Sequence, residues 1–137
     1  MAVQLNHTII WSRDNKKSAF WYSELFDLPE PYVMGPFYIL AMDNDVTLDF
    51  LNIEFRNQKL PDPDMVAQQH YCFLVTEPEF DAIFGRIKEQ GLEYYADSFH
   101  KESGQINNND GGRGVYFLDL DGHNIEVITV PYGGWPT

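Results

Sequence analysis

A chain of 137 residues with 21 acidic against 9 basic side chains, a formal net charge of −12, is long enough for one compact core and too poor in clustered cations to bind a nucleic-acid backbone. Its composition, 44% hydrophobic, 15% aromatic and 22% charged, is that of an ordered globular protein, and no run approaches the ~18 apolar residues of a membrane span. The single cysteine, Cys72, excludes an internal disulfide framework, and with no basic-then-apolar leader the expected location is the cytoplasm. The acidic excess serves solubility, or alternatively attracts a cationic small molecule.

In chain order, Gln4 to Ser12 is short, β-branched and aromatic-rich, a strand in which Leu5, His7, Ile9 and Trp11 share one face. Asp14 is placed to cap a helix whose apolar side holds Ala19, Phe20, Trp21, Leu25 and Phe26 and which ends before Leu28-Pro29. Pro29, Pro31, Gly35 and Pro36 then break the chain into short pieces. A strand from Phe37 to Met42 follows, then a turn at Asp43-Asn44-Asp45 and a strand from Val46 to Ile53 in which Thr47, Asp49 and Leu51 point one way and Leu48, Phe50 and Asn52 the other.

Glu54 to Gln68 is polar, carries Pro61 and Pro63, and reads as an exposed linker. The pattern then restarts. Gln69 to Thr76 is a strand, and Pro78 stands near the start of a helix whose face is Phe80, Ile83, Phe84 and Ile87 and which stops at Gly91. A short strand follows at Glu93-Tyr94-Tyr95, and Asp97 to Arg113 is a long Asn-, Gly- and Ser-rich loop of the kind that often carries function. Gly114 to Val130 is a hairpin turned at Asp121-Gly122, with Glu126 set among aliphatics in its second arm. A buried, unpaired carboxylate costs several kcal/mol, so Glu126 is expected to have a cation, a strong donor or a metal beside it unless its face is wet. The tail Pro131-Tyr132-Gly133-Gly134-Trp135-Pro136 has no regular pattern.

Both halves read strand, helix, then short strands closing in a hairpin, which is an internal repeat. The halves are a first module of about 1–54, a linker 55–68 and a second module of about 69–132. His7 falls on His70, 63 residues on, and one extra residue in the first turn sets Asp49 opposite Glu126. The expected fold is α+β, two βαβββ modules forming an incomplete, cup-like β-barrel with helices outside. In such a cup His7, Asp49, His70 and Glu126 converge. Two imidazoles and one carboxylate with open positions suit Fe2+, and an added oxygen ligand suits Mn2+, Ni2+ or Zn2+ as well, so the metal stays open.

The segments LNHTIIWSRD, QQHYCFLVTEPEFD and YFLDLDGHNIEVIT resemble those of the vicinal oxygen chelate superfamily, which includes glyoxalase I, extradiol dioxygenases, fosfomycin-modifying enzymes and bleomycin-binding proteins. The resemblance spans nearly the whole chain. It implies metal ligands from the first, fifth and last strands, here His7, His70 and Glu126. Bacterial glyoxalase I adds a glutamate from the fourth strand, where this chain has the shorter Asp49. It also implies a homodimer and two alternative chemistries on a small oxygen-chelating substrate. A lyase or isomerase would use Glu126 or another carboxylate as base, and a dioxygenase would use Fe2+ with His100 or Tyr116 as an acid beside it. The rival is a metal-free cleft that sequesters a cationic drug-like ligand on carboxylates and the rings of Trp11, Trp21, Tyr38 and Tyr116. A third reading makes the cleft vestigial.

Four other residues complete the candidates. Trp11 and Tyr116 are candidate substrate contacts. His100, opening the long loop beside Lys101, is a candidate proton donor. Arg113 is a candidate for an anionic substrate group, with a structural role at the strand entry as the alternative. His123 is expected on the solvent side of the turn, and Cys72 is expected to pack rather than to react.

Overall fold

The computed structural model describes residues 2–136. It divides into two compact modules, Met1–Ala67 and Gln68–Thr137. In the first, β1 (His7–Ser12), α1 (Asn15–Phe26), β2 (Tyr32–Met34), β3 (Phe37–Ala41) and β4 (Thr47–Asn52) build a four-stranded sheet in the order β1-β4-β3-β2. β1 runs parallel to β4, and the other neighbours are antiparallel.

α1 starts where expected, because the Asp14 carboxylate accepts the Lys17 amide at 3.1 Å. It stops at Asp27, whose φ of 53° leaves the helical region one residue before Leu28-Pro29. Ala19, Tyr22 and Leu25 form its buried stripe, with the Tyr22 ring 5.2 Å from that of Phe50. Each such large side chain withdrawn from water contributes roughly 1.5–3 kcal/mol. Asn15 fixes the helix entry to the sheet: its amide donates to Asn52 Oδ1 at 2.8 Å and its side chain donates to the Phe50 carbonyl at 3.1 Å. The helix therefore covers the face of β4 that holds Leu48 and Phe50, leaving Thr47 and Asp49 on the other.

The second module repeats this plan with β5 (His70–Leu74), α2 (Glu77–Glu89), β6 (Tyr94–Tyr95), β7 (Gly114–Leu118) and β8 (Asn124–Ile128), in the sheet order β5-β8-β7-β6. α2 opens with a reciprocal capping box between Thr76 and Glu79. Phe80, Ile83 and Ile87 form its buried stripe, and Val115, Phe117, Ile125 and Val127 are the fully buried apolar residues of the central strands. The α+β class and the duplicated βαβββ order stand as expected, with no closed barrel among the described residues.

Four details differ from the sequence reading. β1 begins at His7, with Gln4 to Asn6 exposed ahead of it. The Pro-broken stretch holds an exposed edge strand, β2. β5 ends at Leu74 because Thr76 turns to cap α2. His123 is not on the solvent side: it is 0% exposed, its Nδ1 accepts the Gln69 amide at 2.9 Å, and its own amide donates to Asp119 at 2.8 Å, which folds the turn onto the start of β5.

Candidate metal site

The ladders bring two histidine–carboxylate pairs together by the same register. In the first module His7 is opposite Thr47 and Ile9 opposite Asp49; in the second, His70 is opposite Asn124 and Cys72 opposite Glu126. Cross-strand partners share a face, so each carboxylate sits on the face of its histidine, one pleat along.

His70 and Glu126 are the closer pair, with Nε2 3.3 Å from Oε1. His70 Nδ1 lies 2.8 Å from the Asn124 carbonyl oxygen, which only accepts, so Nδ1 carries a proton and Nε2 is the nitrogen turned to the carboxylate. With a proton on Nε2 the contact is an ion pair; without one, two acceptors face each other and a cation between them would satisfy both. Donors about 2.1 Å from one ion, at angles between tetrahedral and octahedral, stand about 3.0–3.4 Å apart, and this pair fits. The carboxylate is shielded from water, with Glu126 0% exposed, while His70 remains open to solvent. His7 and Asp49 are looser. Nε2 and Oδ2 are 4.0 Å apart, outside that window, and Asp49 already accepts the Thr47 hydroxyl at 2.8 Å. His7 Nδ1 is held at 2.7 Å by the Asn6 side chain. Among the described residues, no three or more His, Cys, Asp or Glu side chains gather for one ion, and each module supplies one histidine–carboxylate pair.

The model of the Glyoxalase/Bleomycin resistance protein/Dioxygenase superfamily matches residues 4–127. The chain belongs to this superfamily. Among solved structures it is similar to the oxidase ChaP-H2, at 46% identity over 98% of both chains with a TM-score of 0.87. It is also similar to the oxidase ChaP-H1, at 49% identity over 97% of this chain and all of that one, again with a TM-score of 0.87. The glutathione transferase FosA of Serratia marcescens is 28% identical over 93% of this chain and 81% of its own. No described helix is long and apolar enough to cross a membrane.

In this superfamily member the face around Glu126 is lined by Cys72, Tyr116 and Tyr132. Tyr132 was not among the sequence candidates; its hydroxyl donates to Glu126 at 2.8 Å from each oxygen. Nothing in the unpatterned tail marks it beyond a tyrosine between Pro131 and two glycines. Tyr116 stacks on His70 with centroids 6.2 Å apart and lies 3.5 Å from the Tyr132 hydroxyl. Burial, then its bonds with Tyr132 and Glu126, raise the Tyr116 hydroxyl far above the ordinary phenol range. Tyr132 is pulled down by its bond with Tyr116, but burial and Glu126 outweigh that pull and leave it raised. Cys72 lies at the surface, yet protein packed around its sulfur, together with Glu126, holds the thiol well above its usual range, so it is no thiolate nucleophile.

His100 is positioned through Asn124. Its Nε2 lies 2.8 Å from Asn124 Oδ1, the Asn124 amide donates to the Ser98 carbonyl at 3.2 Å, and the imidazole stacks on Tyr95 at 4.1 Å. Asn124 thus serves both histidines, backbone to His70 and side chain to His100, a role the sequence reading missed. Trp11 is half-buried on β1, on the His7 face by alternation. Arg113 does not join the Glu126 face. Its guanidinium pairs with Glu77 at 2.7 Å and Asp81 at 2.8 Å, lies over the Phe80 ring, and is raised further by those carboxylates, Asp81 first. It sits on the helix-covered side, against α2.

Proposed function

We propose that this chain is a metal-dependent oxidase of the dioxygenase kind, acting on a small molecule that chelates the ion through neighbouring oxygens. The observation that carries the reading is His70 Nε2 held 3.3 Å from a shielded carboxylate, with the ring fixed by a backbone carbonyl. The oxidases at 46% and 49% identity favour this chemistry over the lyase and isomerase alternative.

In this reading His70 and Glu126 are two ligands, and His7, from the first module of this chain or of a second copy in a homodimer, is the third. Bound Fe2+ supplies a Lewis acid for the chelating oxygens and a redox centre for dioxygen. The protein's own groups do the rest. Tyr116 stays protonated through neutral pH and offers its O–H to a substrate oxygen. With Nε2 engaged by Asn124, His100 keeps Nδ1 to exchange a proton with the substrate. Trp11 offers an aromatic surface.

Anaerobic reconstitution with Fe2+ tests this. The expected result is one ion per chain, with affinity reduced at least about tenfold in His70→Ala, His7→Ala and Glu126→Gln and little changed in Asp49→Ala, because Asp49 stands too far from His7. Protein that takes up no metal and instead binds a cationic ligand with strong salt dependence would establish sequestration in its place.

A further inference from the structure

The tail after β8 lays a phenol across the proposed ligand. Tyr132 Oη is 2.8 Å from Oε1 and 2.8 Å from Oε2 of Glu126. Equal distances place it where a cation sits when it binds a carboxylate through both oxygens, and one O–H proton shared between them engages the lone pairs on that side. Little else holds the ring. Tyr132 is 67% exposed, and its contact with Tyr116 is at 3.5 Å, the outer limit of a hydrogen bond. The chain then turns through Gly133 and Gly134 at φ of 79° and 90°, closed by a bond from the Gly134 amide to the Pro131 carbonyl, outside the β8 ladder.

We propose that Tyr132 is a gate on the metal site: phenol and cation compete for Glu126, and the tail leaves the carboxylate when the ion binds. The proposal rests on the metal reading of His70 and Glu126. A tyrosine that merely orients a ligand would behave in the opposite way, because its loss weakens metal binding.

The test titrates the full chain with Mn2+ alone, counting free ion by electron paramagnetic resonance. Wild type, Tyr132→Phe, Tyr132→Ala and His70→Ala are compared. Both Tyr132 variants are expected to bind about three- to thirty-fold more tightly than wild type, the scale of one hydrogen bond to a carboxylate at a partly wet site. Their melting temperatures should rise more on adding Mn2+ than that of the wild type does. His70→Ala should lose binding. Unchanged or weaker affinity in the Tyr132 variants, with wild-type binding intact, overturns the gate and leaves the metal site standing. Absence of Mn2+ binding in wild type and Tyr132 variants alike overturns the metal reading and the gate with it.

Discussion

Glu126→Leu separates a carboxylate kept for chemistry from one kept for the fold. Glu126 is 0% exposed between Ile125 and Val127, also 0% exposed, and is flanked across the sheet by Cys72 and Tyr116. Replacing a buried ionic group by an apolar one of similar volume is neutral or stabilising by about 1–4 kcal/mol. Here the released partners lose little, because Tyr132 and His70 both reach solvent and exchange the carboxylate for water. We therefore expect about 1–3 kcal/mol of added stability in metal-free protein. At roughly 2.1 cal/mol/K per residue, the unfolding entropy of this chain is about 0.3 kcal/mol/K, so Tm should rise by about 3–10 °C. Thermal unfolding followed by circular dichroism in chelator reads this directly, and the same variant should gain nothing from added metal. A Tm several degrees below wild type in chelator would refute the reasoning. The hydrogen bonds of Glu126 would then stabilise the fold, and its presence among aliphatics would need no functional cause.

Two further outcomes follow from the loop and its return to the sheet. The Asp97 carboxylate accepts the Lys101 and Glu102 amides at 2.8–3.1 Å, and these bonds, that of Glu102 first, lower its pKa. A depressed carboxylate stabilises above its unfolded pKa of about 3.9 and loses that contribution as pH falls through the folded value, so amide-exchange protection of Lys101 and Glu102 should disappear only below about pH 4. Asp97→Asn should show no such acid step, and an identical step in that variant would contradict the assignment. Gly112→Ala would set a Cβ 2.6 Å from Thr129 Oγ1 and 2.7 Å from Val130 Cγ2. Urea unfolding should register a loss of about 1–3 kcal/mol, and an unchanged midpoint would contradict the packing.

What could be read from the sequence is what local patterning controls. Alternation in Thr47–Asn52 correctly separates Asp49 from Leu48 and Phe50, and Asp14 marks the start of its helix, because both depend on neighbours within a few residues. His123 escapes because its burial is decided by the Gln69 amide, 54 positions away. Tyr132 escapes because a glycine turn, not a strand, aims it. The repeat was legible, but the inequality of its halves was only partly so. Asp49 lacks the methylene that Glu126 has, which accords with 4.0 Å in one pair and 3.3 Å in the other. The hidden difference lies behind the imidazoles. His7 leans on the exposed, rotatable side chain of Asn6, whereas His70 leans on a carbonyl of β8 that the sheet itself holds. Freezing Asn6 costs side-chain entropy that a ladder carbonyl does not. One register therefore yields a pre-set donor in the second module and an adaptable one in the first.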